Sequence, residues 1–473
     1  MINNLSGINF NNIYAQKAVK TRENTAINRA EINVSRPENI SSAAKPAIKN
    51  SPVSFGAYRV VRTNMTPEEQ KIYSKVVKFL PQTQRGQMDY LLRSGVLLDS
   101  RSNDNSTVLD NLNKVIEEKR APGLDKTVVL SEIVNTITNP FVINQKFGDI
   151  PDSALVDIVN NPQNYKPREN SAVEKYDVNI KNVHSAACVA ASIEFDLASK
   201  QPAEFVRIAN GLTSEKISAV KKLKMSDIAP SWTEATWFLN EFNSDYKRTG
   251  WDDIEVNMHP DRNAIIRARI QMTNKDPNER SLIDVLMQST FMEIGSQQTY
   301  NSLTDTRTGK YNSDNTGLTD IEKSFAETIA TGKNKCSVTY QIMDENGFIT
   351  GYECPLDKMK KHIVDSLNHG ENVIVGYTQQ DETKKVVNGH EITIVKLEKD
   401  EDGREIFVCN DTDDESDKPV RYYVEDLLPA IHHAGLSKYV VENDEIFKQP
   451  KYEAIDYYKS LFENKNADEK VKA

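Results

Sequence analysis

The chain has 473 residues, a net charge of −10 and a mean hydropathy of −0.58. That length exceeds one ordinary core and predicts two or three structural units, while 38% hydrophobic residues predicts unpacked segments beside folded ones. The acidic balance argues against nucleic acid as a partner, because phosphate-backbone binding needs a basic surface, and no run of about 18 apolar residues offers a membrane span.

Residues 1–58 are rich in Asn, Ala, Ser and Lys, carry no sustained period, and predict a disordered leader. They lack an apolar stretch behind the first basic residues, so no standard secretory signal is expected. The expected location is the cytoplasm, or outside the cell by a signal-independent route. From Thr66 the pattern changes. Thr66-Pro67-Glu68-Glu69 is a helix start, with an N-cap, proline at N1 and acids in the first turn. Helical spacing recurs through Met88–Leu92, Val108–Val115, Thr127–Ile137 and Asp152–Val159. Residues 59–165 therefore predict a helical bundle domain, positioned as a prodomain or partner-binding module.

The proline-broken stretch after Asn160 is a boundary, and residues 170–445 predict a second, larger domain. Its first part is helical: Cys188 onward, Pro202–Ala209, Trp232–Phe242, Ser281–Phe291 and a helix capped by Thr319. Strands are expected only in the last third. A hairpin turns at Asp344-Glu-Asn-Gly347, a helix begun by Pro355 carries Met359, Ile363, Val364 and Leu367 and stops before Gly370, and strands then cover Asn372–Tyr377, His390–Leu397, Glu405–Cys409 and Val420–Val424. A helix is expected over Glu425–Ala434 with Gly435 as its C-cap. Residues 446–473 predict a short helix and a charged tail. The fold class is α+β.

Four cysteines, Cys188, Cys336, Cys354 and Cys409, are too few and too scattered for a disulfide framework and predict reduced thiols. The pair His432-His433 alone cannot make a zinc site. The acidic run Asp411–Asp417 lacks EF-hand spacing and glycine. No metal or cofactor is expected.

Chemistry concentrates on Cys188, which stands where a loop becomes a strongly apolar helix. Most free cysteines are small buried hydrophobes. A helix N-terminus favours a thiolate, however, and an imidazolium beside it does so further. Gly389-His390 opens a strand downstream, and Asn410-Asp411 ends the next, so either residue can reach the imidazole across the hairpin. His184, four residues before the cysteine, is a rival base without a strand to fix it.

Cysteine opening a helix, histidine on a strand and Asn or Asp one strand later resembles the papain-like cysteine peptidases and their calpain and C39 relatives. Gly389-His390-Glu-Ile-Thr-Ile-Val resembles their histidine strand, Phe407-Val-Cys-Asn410 their asparagine strand, and Pro355–Tyr377 the C39-type helix and strand that precede the histidine. The resemblance implies a papain-like fold over about residues 175–435. It implies Cys188 as nucleophile, His390 as general base and acid, and Asn410 as orienting group with Asp411 as the alternate. The family's oxyanion-hole glutamine falls at Asn182, one methylene shorter, and Ala186, Ala187 and Val189 replace the usual Gly and Trp around the cysteine. The expected function is a thiol-dependent peptidase acting on a protein or peptide. Two alternatives are a deamidase or transglutaminase-type effector on the same fold, and an inactive peptide-binding pseudoenzyme.

Overall fold

The computed structural model describes residues 62–146, 186–229, 231–273, 280–302, 305–307, 317–413 and 417–444. The leader, helix 152–159, the boundary loop, Asn182, His184 and the C-terminal helix and tail lie outside the described residues.

Helices α1 (Pro67–Phe79), α2 (Arg85–Arg93), α3 (Val108–Glu117) and α4 (Lys126–Thr138) come first. α1 and α3 begin with reciprocal capping boxes, Thr66 with Glu69 and Thr107 with Asp110, each satisfying two orphan backbone donors. Then come α5 (Cys188–Lys200), α6 (Pro202–Thr213), β1 (Ala219–Lys224), α7 (Met225–Ile228), α8 (Trp232–Glu241), β2 (Tyr246–Arg248), β3 (Asp253–Met258), α9 (Ala264–Thr273) and α10 (Leu282–Gly295). Two short pieces, β4 (Tyr300–Asn301) and β5 (Thr306–Arg307), pair before α11 (Asp320–Thr331). The last part holds β6 (Lys335–Thr339), β7 (Gln341–Met343), β8 (Ile349–Tyr352), α12 (Leu356–Asn368), β9 (Val373–Gln380), β10 (Val386–Lys399), β11 (Glu405–Asn410), β12 (Val420–Tyr423), α13 (Val424–Ala430), β13 (Ile431–Ser437) and α14 (Lys438–Asn443). The class is α+β.

The principal sheet has six strands in the order β12-β11-β10-β9-β13-β6, and every neighbouring pair is antiparallel. Three features depart from the sequence expectation. β1, β3 and β2 form a separate sheet far ahead of the last third; its burial alternates along Ala219–Lys224, but the three lysines in that strand mask the period. β10 begins at Val386, so His390 is inside the strand rather than opening it. A register shift between Val386 and Asn388 lets the added residues pair with Gln380 and Gln379. Finally, the helix expected through Ala434 stops at Ala430, and Ile431–Ser437 becomes a strand between β9 and β6. The Pro429 carbonyl, which an onward helix would pair with the N–H of His433, accepts from Gln341 and Tyr352 instead.

Two hydrophobic clusters organise the interior. The larger runs without interruption from Val76 through α3, α4, α5, α6 and α10 to Phe325, Ile329 and Ile374. The helices before residue 146 thus share their core with the Cys188 helix rather than closing around one of their own. α5 is buried on almost every side, which explains its low amphipathicity. The second cluster lies under the sheet, among Val375, Ile392, Ile394, Phe407, Leu427 and Leu436. Buried ion pairs join the two regions, Lys323 to Glu391 at 3.3 Å and Lys335 to Glu327 at 3.3 Å. Removing one partner of such a pair costs about 3–5 kcal/mol.

Candidate active site

Cys188 is the first residue of α5 and remains partly exposed while the helix behind it is buried. As an N1 residue, its backbone N–H has no acceptor within the helix. The approach to it is held by Asp305, whose Oδ2 accepts the Ala186 N–H at 2.7 Å and whose Oδ1 accepts the Tyr300 hydroxyl at 2.9 Å. Asp305 adopts a left-handed backbone, φ 50°, a conformation that Asp tolerates better than most residues.

His390 lies on β10 on the Cys188 side of the sheet, and the thiol is among the groups that raise the imidazole pKa. On the far side of the ring, Nε2 donates to Asp411 Oδ1 at 2.8 Å. With Nε2 taken, Nδ1 is the nitrogen left for sulfur. The Tyr377 ring stands edge-on to the imidazole, with centroids 5.8 Å apart and planes at 84°. Tyr422 donates its hydroxyl to Asp411 Oδ2 at 2.7 Å, and the Asp413 N–H donates to Oδ1 at 3.0 Å.

Of the two residues named for the orienting role, the structure brings Asp411 to His390 and not Asn410. Strand parity is the reason. Ile394 pairs with Cys409 and Thr393 with Asn410, and side chains alternate between faces. His390, Ile392 and Ile394 therefore share a face with Cys409 and Asp411, whereas Asn410 sides with Thr393. Asn410 is buried, and its Nδ2 has no hydrogen-bond partner among the described residues.

The electrostatics match a charged pair. Burial opposes a positive His390, but the Asp411 charge, its hydrogen bond and the Cys188 hydrogen bond outweigh it and raise the imidazole well above its ordinary pKa. Burial likewise opposes a negative Asp411, and His390 and Tyr422 more than offset it, so the carboxylate is held below its usual range.

Sequence reasoning missed the supports of this arrangement. Gln145, beyond α4, accepts the Thr412 hydroxyl at 3.1 Å, donates Nε2 to Asp413 at 2.7 Å and donates its backbone N–H to the Thr412 carbonyl at 3.0 Å. It clamps the two residues after Asp411. No spacing rule identifies such a glutamine, and Tyr422 and Tyr377 read as ordinary strand aromatics. The small cavity lined by Phe242, Asp245, His259 and Glu293 lies elsewhere. All four cysteines are free, including Cys336 and Cys354.

Searches against protein-family models, curated proteins and solved structures return no match. Among the described residues, no helix is long and apolar enough to cross a membrane.

Proposed function

We propose that the protein is a thiol-dependent acyl-transfer enzyme, a cysteine peptidase of papain-like fold with Cys188 as nucleophile. One observation carries this reading: a single buried imidazole, His390, is hydrogen-bonded to a buried carboxylate, and its pKa is raised by that carboxylate and by the partly exposed Cys188 thiol. A packed core does not require that arrangement, whereas nucleophile activation does.

In the resting pair His390 is the imidazolium, holding the proton taken from the Cys188 thiol and stabilised by Asp411. The Cys188 sulfur attacks the substrate carbonyl carbon, and its electron pair moves onto the oxygen. The Cys188 backbone N–H faces that oxyanion, and Asn182 is the second donor that the family resemblance implies. Collapse of the tetrahedral species breaks the C–N bond as His390 gives its proton to the leaving amine. Water then attacks the thioester with His390 as base, releasing the acid and restoring the thiol.

The test is incubation with a protein pool, followed by mass spectrometry, beside C188A and H390A. New peptide termini that vanish in both variants are expected. A small mass gain on glutamine would identify a deamidase, and cross-linked peptides a transferase. An unchanged pool, together with Cys188 alkylation no faster than that of Cys336 and unaffected by H390A, would sink enzymatic function and leave a peptide-binding pseudoenzyme.

A further inference from the structure

Along β10 the residue after His390 is Glu391, and it points to the opposite face. There Oε1 accepts from His433 Nε2 at 2.7 Å, and Oε2 meets Lys323 Nζ at 3.3 Å. Because His433 gives its Nε2 proton to Glu391, its Nδ1 carries the free direction of the ring. That Nδ1 lies 2.8 Å from Nδ1 of His432 and 3.5 Å from Oδ1 of Asp320. Three ligand atoms of the right chemistry converge, all within 4.8 Å of one another.

Adjacent strand residues normally point apart, so the meeting of His432 and His433 needs a cause. β13 supplies one. Ile431 pairs with Tyr377 and His433 with Gly376, which leaves His432 as the extra residue of a β-bulge. Bulges re-aim side chains and recur beside functional sites. The two rings stand at 85°, and the His432 carbonyl accepts the Tyr340 N–H at 2.7 Å, fixing the bulge from the backbone side. Opposite them, Gly376 makes room. A Cβ there would sit 2.3 Å from His433 Cε1 and 2.5 Å from Glu391 Oε1.

We propose that Asp320, His432 and His433 bind one divalent transition-metal ion of the zinc class. Two imidazoles and a carboxylate form a three-ligand set that leaves a fourth position for water. Ligand atoms about 2.05 Å from a tetrahedral ion stand roughly 3.3 Å apart. The 2.8 Å and 3.5 Å separations bracket that value, and the third, between His432 and Asp320, is within 4.8 Å, so the rings must draw in on the ion. Glu391 is the outer carboxylate that orients a ligating histidine and raises its basicity. Asp320 keeps 40% of its side chain exposed and gives the ion a way in. Zinc and cobalt(II) both suit nitrogen-rich sites of this kind. The site is independent of the peptidase reading, since it uses neither Cys188 nor His390.

The test is titration of the metal-free full chain with Co²⁺ by absorption spectroscopy and with Zn²⁺ by calorimetry. One equivalent with a low-coordinate cobalt spectrum is expected for the wild type and, unchanged, for C188A and H390A. H432A and D320N should each weaken binding at least about tenfold, and E391Q by about 10–100-fold as an outer-carboxylate change. D320N alters a half-exposed side chain, so it remains informative if a histidine variant fails to fold. No uptake by the wild type, or uptake lost in C188A and retained in D320N and H432A, would overturn the proposal.

Discussion

Two neighbouring residues of β10 each enter a histidine–carboxylate pair, and the pairs lead to different chemistry. On one face, His390 donates to Asp411 at 2.8 Å. On the other, His433 donates to Glu391 at 2.7 Å. In both, the carboxylate fixes the tautomer and leaves Nδ1 directed outward. What meets that nitrogen then decides the role. A thiol at the start of a buried helix helps raise the His390 pKa, whereas a second imidazole and an aspartate meet His433. The pair is a generic orienting device, and its outer partner specifies its use.

Loss of the outer partner on the first face has the largest expected effect. C188A and H390A should lower turnover by roughly 10⁴-fold or more, because members of such a unit act together, and metal titration should be unaltered. If either variant abolished cobalt binding as well, the two faces would not be separate.

Removal of the carboxylate comes next. D411N should lower kcat by about 10³–10⁴-fold through loss of ring orientation, as seen for triad aspartates generally. It should also alter the pH dependence of stability. The raised His390 pKa contributes stability that is fully present below the ordinary histidine value and is lost as pH rises through the folded-state pKa. The lowered Asp411 pKa contributes stability that is fully present above the ordinary aspartate value and is lost as pH falls through the folded-state pKa. Urea unfolding should therefore show the wild-type advantage over D411N greatest between about pH 4 and 6.5, shrinking on either side. An advantage independent of pH would mean that the pair is not charged.

Gln145 tests whether the early helices hold the site. Q145A should cost about 1–3 kcal/mol for the buried groups it strands, and it should lower kcat more than it alters KM, since Asp411 loses its anchored loop. Stability lost with kcat intact would confine Gln145 to packing. The smallest effect is expected for Y422F. It removes one hydrogen bond to Asp411 and should cost about 1 kcal/mol in unfolding free energy, with turnover reduced by up to about tenfold. Together these variants rank the distance from sulfur at which the first pair is still felt.

The shared core gives the early helices a further consequence. Residues 62–146 and α5 bury their apolar faces in one cluster. A segment that could be clipped off without exposing that cluster would have to pack on the outside, and α3 and α4 do not. Deleting the first 146 residues should therefore yield insoluble protein, measured by the soluble fraction after expression.

Much of the local structure was legible because its signals are local. The boxes Thr66–Glu69, Ser231–Glu234 and Ser281–Asp284 mark helix starts within four residues of chain, and each observed helix begins one residue later. Cys188 at a helix start, His390 in a strand and an acid one strand on could be read in order for the same reason. What escaped was non-local. Asn410 and Asp411 differ by one position, and only the pairing of Ile394 with Cys409 decides which faces His390. The strand Ile431–Ser437 exists because β9 and β6 offer edges on both sides, which no window of its own sequence reveals.

By itself, then, the sequence determined where helices begin, which thiol sits at a helix N-terminus and which residues could serve it, because capping, periodicity and turn chemistry act over a few bonds. Tertiary structure alone decided which acid holds His390, which glutamine holds that acid, and that Asp320 completes the His432–His433 pair. Those outcomes depend on strand parity, on a bulge that adds one residue, and on a glycine that removes one Cβ. Each is a relation between segments far apart in the chain, set only when the sheet closes.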